Sequence, residues 1–216
     1  MTELEHPKNI YKTGTTTVAI VCKDGIVLAA DRRATAGFIA YKKAKKIVPI
    51  NDFMAVTTAG DVSEIQLVLK LIKAESKLKD LQTNRASSAT EVANLLASLV
   101  YSNLRKMSMV PAITAFLFAA HDENGLHLFE IGPDGSMFSV DDYAADGSGS
   151  VFALGVLEST FKKNLSIEDG VKLGIKAVNT ALQRDIYSGN GIDVVTITEK
   201  GVKTVFEKEL IASIEA

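Results

Sequence analysis

Hydrophobic and polar positions alternate along this 216-residue chain in blocks that have two different periods. Two runs of β-branched and apolar residues occupy residues 15–33 on either side of Lys23-Asp24-Gly25, a pattern that predicts a β-hairpin. Residues 47–50 and 54–58 have the same character around Asn51-Asp52 and predict a second pair of short strands. The chain therefore begins with antiparallel β-structure.

Helical spacing replaces this alternation after residue 60. Asp61, with Glu64 three residues later, resembles a capping box, and apolar residues then recur every three or four positions. Ser88 and Glu91 repeat the signal and predict a second helix. The same order then recurs, with strands at 112–121, 126–131 and 136–140, a loop at 144–150, helices at 151–161 and from Ser166 onward, and strands at 193–198 and 202–206.

This order of elements restricts the fold class. Blocks of strands separated by pairs of helices predict antiparallel sheets covered by helices, whereas regular βαβ alternation would predict a parallel sheet. Two sets of strands and two helix pairs fit most economically into a four-layer αββα sandwich, an α+β fold. No linker rich in Gly, Ser or Pro interrupts the pattern, so one domain is expected.

Composition narrows the functional classes. The chain is 47% hydrophobic and 23% charged, as is usual for a soluble globular protein, and its 24 Lys and Arg against 26 Asp and Glu give a net charge of −2. This balance argues against a nucleic-acid partner, which favours a basic excess. No apolar run is long enough to cross a membrane, residues 1–14 lack the apolar centre of a secretory signal, and Cys22 is the single cysteine, so we expect a cytoplasmic protein.

Common catalytic motifs are missing from the sequence. It contains no GxxxxGK[ST], GxGxxG, HExxH or GxSxG. The three histidines are His6, His121 and His127, and none lies beside a plausible nucleophile, which argues against a Ser-His-Asp hydrolase. A dedicated metal site is not expected from so few histidines and one cysteine, and we predict no cofactor.

The segment Gly14-Thr15-Thr16-Thr17 offers a different nucleophile. Threonine-rich segments are common in strands, so residue type alone does not assign a role. A hydroxyl nucleophile needs a base, however, and cleavage of the Gly14–Thr15 bond would give Thr15 a free α-amine with a pKa of about 8 that can act as that base. Gly14 has no side chain to obstruct the tight backbone geometry of such a cleavage.

Six motifs in order, GTTTVAI, AADRRAT, KKI, TTAG, GSGS and QRDIYSGNGIDV, resemble those of proteasome β subunits, most closely the archaeal kind. The resemblance extends from Gly14 over essentially the rest of the chain. It implies the αββα fold of N-terminal nucleophile hydrolases, a propeptide of residues 1–14 removed by autocleavage between Gly14 and Thr15, and a single catalytic domain of residues 15–216.

The resemblance also implies roles for individual residues. Thr15 would be the nucleophile, Lys46 the catalytic lysine and Asp31 the acid that orients it, with Lys45 as the alternative lysine. The backbone N–H of Gly60 would stabilise the oxyanion. Three further residues would surround the threonine amine: Ser148, Asp185 and Ser188. On grounds of charge alone, Arg33 is a candidate partner of Asp185.

The substrate and partners follow from the same resemblance. Five small or apolar residues would line the substrate pocket and favour cleavage after hydrophobic residues: Ala34, Ala44, Val48, Thr58 and Val62. The implied activity is a threonine endopeptidase that degrades unfolded proteins. The implied partners are other β subunits in seven-membered rings, two rings of α subunits outside them, and a regulatory ATPase ring that acts through the α rings. The alternatives are a catalytically silent, structural β-type subunit and a different N-terminal nucleophile hydrolase.

The pairing of the first hairpin offers a geometric test of these roles. If Asp24-Gly25 form a two-residue turn, residue i pairs with residue 49 − i, and Asp31 opposes Val18. If Lys23-Asp24-Gly25 form a three-residue loop with Gly25 left-handed, residue i pairs with 48 − i, which places Asp31 diagonal to Thr15 on one face. Joint catalysis requires the second pairing, and we predict the three-residue loop.

Overall fold

The computed structural model of the protein describes residues 14–36, 38–108 and 113–210. Most of the proposed leader, the first residue of the strand predicted at 112–121 and the last six residues of the chain lie outside these ranges. The strands are β1 (Thr17–Cys22), β2 (Gly25–Asp31), β3 (Ala34–Thr35), β4 (Ile39–Tyr41), β5 (Ile47–Asn51), β6 (Met54–Gly60), β7 (Thr114–Asp122), β8 (Gly125–Ile131), β9 (Met137–Ser139), β10 (Tyr143–Asp146), β11 (Gly191–Thr198) and β12 (Gly201–Glu209). The helices are α1 (Val62–Thr83), α2 (Ala89–Leu104), α3 (Ser150–Thr160) and α4 (Ile167–Leu182).

Two antiparallel five-stranded sheets form the centre of the molecule. One has the strand order β10-β1-β2-β11-β12 and the other the order β5-β6-β7-β8-β9. Apolar side chains from both sheets, among them Leu28 and Leu117, fill the space between them. The helices α3 and α4 cover the outer face of the first sheet, and α1 and α2 cover that of the second. The predicted four-layer αββα sandwich is therefore confirmed.

The helix starts follow the local signals in the sequence. The side chain of Asp61 accepts hydrogen bonds from the backbone N–H groups of Ser63 and Glu64 at the start of α1. Ser88 and Glu91 form a complete capping box at α2, and a cap of this kind contributes about 1 kcal/mol. The box is incomplete at α1, because the Glu64 carboxylate accepts a hydrogen bond from Asn103 of α2, at 2.6 Å.

The predicted three-residue loop in the first hairpin is wrong. Cys22 pairs with Gly25, and residue i pairs with residue 47 − i, so that the turn consists of Lys23 and Asp24 alone. The prediction that Gly25 is left-handed is also wrong, because its φ is not positive. A glycine is needed there for a different reason: an added Cβ would lie 2.6 Å from the carbonyl oxygen of Ile197. Continued to the strand ends, this pairing places Asp31 opposite Thr16, and the Asp31 N–H donates to the Thr16 carbonyl.

Two short β elements have no counterpart in the prediction. The residues of β10 were assigned in part to a loop, but they pair with β1 at the edge of the first sheet. The strands β3 and β4 form a separate small hairpin. Both elements adjoin the functional site, and each is too short to show a period of its own.

Candidate functional site

Thr15 lies two residues before β1, beside Lys46, the residue that precedes β5. Only 4% of its surface is exposed. Its hydroxyl donates a hydrogen bond to the carbonyl oxygen of Gly14 at 2.7 Å. The Gly14 N–H donates to the Thr35 hydroxyl at 2.7 Å, which fixes the peptide from its other side. The hydroxyl of Thr15 thus lies beside the peptide group that precedes it in the chain.

A buried lysine joins this hydroxyl to a buried carboxylate. The ammonium of Lys46 donates to Asp31 Oδ1 at 2.6 Å, to the Gly14 carbonyl at 2.8 Å and to Thr15 Oγ1 at 3.0 Å. These bonds use all three of its donor hydrogens. Burial lowers the pKa of Lys46 below its usual value of 10.5, although the Asp31 charge partly opposes this effect. The competing candidate, Lys45, is exposed and binds Glu207.

Asp31 is fully buried and is held by backbone donors as well as by the lysine. Its Oδ1 accepts from the Thr16 N–H, and its Oδ2 accepts from the N–H groups of Arg33 and Gly189. These bonds stabilise the ionised carboxylate and fix its orientation. The hairpin register places Asp31 opposite Thr16 rather than Thr15. The Lys46 ammonium nevertheless links the two residues, because it contacts both Asp31 Oδ1 and Thr15 Oγ1. The condition that joint action needs the 48 − i pairing is therefore also wrong.

A second carboxylate approaches the threonines from the helical side. Asp185 Oδ2 accepts from the hydroxyls of Ser148 at 2.7 Å and Ser188 at 2.6 Å. Because Ser188 donates its hydrogen to Asp185, the Thr16 hydroxyl is the donor in the 2.8 Å contact between Thr16 and Ser188. The Thr15 N–H donates to Ser148 Oγ at 3.2 Å. This network ties the nitrogen of the Gly14–Thr15 peptide to residues near the ends of α3 and α4.

Arg33 does not pair with Asp185 as the sequence suggested. Its guanidinium donates to Asn190 Oδ1 at 2.8 Å and to the carbonyl oxygen of Ile186 at 3.0 Å. Arg33 therefore braces the loop between α4 and β11, which carries Ser188.

A cavity of about 500 Å³ opens beside the Thr15 hydroxyl. Gly60, at the end of β6, and Lys46 contribute to its wall. All five residues predicted for a substrate pocket also line it: Ala34, Ala44, Val48, Thr58 and Val62. The structure thus brings every predicted site residue into one region, with Ser148, Asp185 and Ser188 on the side of the Thr15 nitrogen.

Several residues of this region were missed in the sequence. Ile65 and Leu69 line the cavity from α1, and their spacing of three and seven residues from Val62 on one helix face could have revealed them. Tyr41 lines it from the small hairpin, which has no clear sequence signal. The backbone donor of Gly189 and the Thr35 hydroxyl act through the tertiary fold, and no local pattern indicates them.

The described residues hold neither a candidate metal site nor a candidate membrane span. No group of three or more His, Cys, Asp and Glu side chains there could hold a metal ion. None of the helices in the same ranges is long and apolar enough to span a membrane.

Comparison with known proteins gives concordant matches over nearly the whole chain. The proteasome subunit family profile matches residues 11–197. The chain is 41% identical over 203 residues to the proteasome subunit beta of Ferroglobus placidus, covering 94% of this chain and 95% of that protein. It is 40% identical over 203 residues to that of Methanocaldococcus fervens, with 93% and 88% covered, and 38% identical over 202 residues to that of Methanococcus maripaludis, with 93% and 90% covered.

Proposed function

Since the chain belongs to the proteasome subunit family, with archaeal β subunits among its relatives, we propose that it is a threonine endopeptidase of a 20S-type core particle. One observation carries this proposal: the Lys46 ammonium contacts the Thr15 hydroxyl, the Gly14 carbonyl and the Asp31 carboxylate together. A positive charge beside a hydroxyl favours loss of its proton, and the same charge beside a carbonyl stabilises negative charge that develops on its oxygen.

The first reaction is removal of residues 1–14 by the chain itself. Thr15 Oγ1 attacks the carbonyl carbon of Gly14, an ester bond to Thr15 forms, and the peptide C–N bond breaks. The proton of the hydroxyl passes to the nitrogen that leaves. This step already frees the α-amino group of Thr15. Water then hydrolyses the ester, which releases a carboxylate at Gly14 and restores the Thr15 hydroxyl, on a mature chain of residues 15–216.

The mature enzyme repeats the chemistry on a substrate peptide. The neutral α-amine of Thr15 takes the hydroxyl proton as the base, an acyl-enzyme ester forms, and water releases the product. Ser148, which already contacts this nitrogen, orients the amine, with Asp185 and Ser188 behind it. Gly60 supplies its backbone N–H to the oxyanion, an interaction worth about 3 kcal/mol in such sites. These steps need no metal or organic cofactor.

The cavity determines where the substrate is cut. Its wall includes Val48, Val62, Ile65 and Leu69 beside the nucleophile, so a hydrophobic side chain that precedes the scissile bond is desolvated there. We expect cleavage after hydrophobic residues in unfolded proteins. The subunits assemble in seven-membered rings between rings of α subunits, and a partner ATPase ring supplies unfolded chains in the cytoplasm.

The decisive test is the state of the subunit in assembled particles. The chain is co-expressed with the matching α subunit, and the purified particle is examined by intact mass spectrometry and with fluorogenic peptides. We expect a subunit that begins at Thr15 and hydrolysis after hydrophobic rather than charged residues. A retained leader in fully assembled rings, with no hydrolysis, would instead identify a silent structural subunit.

Substitution of Gly14 by alanine tests the geometry of the cleavage site. A Cβ at residue 14 would lie 2.0 Å from Tyr187 Cβ and 2.3 Å from the Tyr187 carbonyl oxygen. The Gly14 peptide must shift to relieve this overlap, so we expect self-cleavage to slow by about a hundredfold, measured as the fraction of processed subunit over time. Gly155→Ala is the matched control, because an added Cβ there meets nothing within 4 Å. Equal processing of both variants would contradict the prediction.

A further inference from the structure

Six charged side chains form a cluster outside the catalytic network, between β12 and the segment before β5. Arg32 lies at its centre and is only 3% exposed. Its guanidinium lies 3.1 Å from Glu207, 3.4 Å from Asp193 and 3.5 Å from Glu209. We call this group the ion clasp, and its members are Arg32, Lys43, Lys45, Asp193, Glu207 and Glu209.

The two lysines complete the cluster on its solvent side. Lys45 binds Glu207 at 2.8 Å, and Lys43 binds Glu209 at 3.2 Å. Both lysines are more than half exposed, while the arginine they surround is buried. Three positive and three negative groups balance, so the buried guanidinium is compensated.

The clasp fixes a segment that has no regular secondary structure. Residues 42–46 lie between β4 and β5 and form neither helix nor strand. Within them, Lys43 and Lys45 reach β12, whereas Ala44 lines the cavity and the Lys46 ammonium contacts Thr15. Backbone bonds from Ala44 N–H to the Arg32 carbonyl and from Thr58 N–H to the Lys46 carbonyl hold the same segment.

This arrangement joins the edge of one sheet to the beginning of the other. The strand β12 is the outer strand of the first sheet, and Lys46 directly precedes β5 in the second. We propose that the ion clasp is a positioning device for the threonine peptidase: its charges hold residues 42–46 against β12 and thereby keep Lys46 and Ala44 aligned with Thr15. This inference rests on the proposed function and assigns positioning roles to Arg32, Lys43, Lys45, Glu207 and Glu209.

The test compares assembled particles that carry Glu207→Gln together with Glu209→Gln against wild type. These changes keep side-chain size and remove the charges that hold the two lysines. We expect kcat for a fluorogenic peptide with a hydrophobic residue before the scissile bond to fall about tenfold, because small misplacements at a catalytic centre cost rate, while KM stays within about twofold. Lys43→Gln with Lys45→Gln should reproduce the loss of kcat. Lys43→Arg with Lys45→Arg keeps both positive charges and should retain most of kcat.

A salt series supplies a readout that a purely structural role would not move. Raising the salt from about 0.05 M to about 0.5 M screens the exposed arms of the clasp, so kcat of the wild type should fall towards that of the Gln variant, which itself should change little. The control Glu199→Gln removes one carboxylate charge at the other end of the β11–β12 hairpin, away from the clasp, and should behave as wild type.

The possible failures are distinguishable. Absence of Thr15-dependent hydrolysis in the wild-type particle refutes the proposed function. Normal wild-type hydrolysis with an unchanged kcat in the Gln variants, a loss confined to KM, or a wild-type kcat indifferent to salt refutes the clasp alone. Should the Gln variants not assemble, the wild-type salt series still decides.

Discussion

Alanine at position 15 should leave the assembled subunit with its leader attached and without peptidase activity. Both proposed reactions begin with attack by Thr15 Oγ1, and no other hydroxyl contacts the Lys46 ammonium among the hydrogen bonds of the described residues. We expect no subunit that begins at residue 15, and peptide hydrolysis lower by about a thousandfold or more. Intact mass spectrometry and fluorogenic peptides measure the two effects on one sample.

Two companion variants separate chemistry from folding. Thr15→Ser keeps the hydroxyl and should restore cleavage of the leader. Thr17→Ala removes a buried threonine of β1 whose hydroxyl donates only to the Asp146 carbonyl, at 3.3 Å, and should retain processing and hydrolysis. A mature N-terminus in the Thr15→Ala particle would show that the nucleophile is assigned to the wrong residue.

Replacing Lys46 by methionine should be the second most damaging change. The long apolar side chain fills the space but removes the positive charge that contacts Thr15 Oγ1 and the Gly14 carbonyl, so we expect processing and kcat to fall by about a thousandfold. Asp31 then becomes a buried carboxylate without its ion partner, which costs about 3 kcal/mol of unfolding free energy; its three backbone donors keep the cost from being larger. Lys172→Met, on an exposed pair with Asp169, is the matched control in both the peptidase assay and thermal unfolding.

The pH dependence gives a signature of Lys46 in the wild type. The ammonium form is the active one, so kcat/KM should fall as pH rises through the pKa of Lys46, and burial moves this alkaline limb below 10.5. The same shift has the opposite effect on stability. Between the folded pKa and 10.5 the unfolded chain binds the proton and the native chain does not, so this group's contribution to unfolding free energy rises with pH.

Measuring kcat/KM and the free energy of unfolding over the same pH range therefore shows whether activity is lost at high pH through deprotonation of Lys46 or through unfolding. We expect kcat/KM to decline in this window while the cost of the buried Lys46 charge to native-state stability diminishes. A decline that coincides with unfolding, followed by circular dichroism over the same pH range, would contradict the assignment.

The layers of the fold were predictable because its elements carry strong local signals. Ser88 with Glu91 and Ser166 with Asp169 mark helix starts by bonds within one turn, and the alternation of apolar residues marks the longer strands. The register of the first hairpin was not predictable, since Gly25 is required by contact with Ile197 on β11. A glycine selected by packing looks in the sequence like one selected by turn geometry.

The candidate site likewise contains residues that the sequence predicted and residues that it did not. Thr15, Asp31 and Lys46 were identified through motifs, and the structure brings them within hydrogen-bonding distance of one another through Lys46. The donors on Asp31 from Thr16 and Gly189 were not foreseen, because backbone N–H groups leave no trace in residue type. Arg33 was assigned the wrong partner for a related reason: the choice between Asp185 and Asn190 depends on the course of the loop after α4.

The bonds from Ser148 to the Thr15 nitrogen and from Gly189 to Asp31 have a consequence for biosynthesis. Lys46 and Asp31 follow Thr15 closely in the chain, whereas Ser148 and Gly189 follow it by more than a hundred residues. A partly synthesised chain therefore holds the threonine, the lysine and the aspartate without the groups that orient the Thr15 nitrogen and the Asp31 carboxylate. Under the proposed function, the first cleavage consequently waits until synthesis has passed residue 189, so the leader stays attached while the chain is being made.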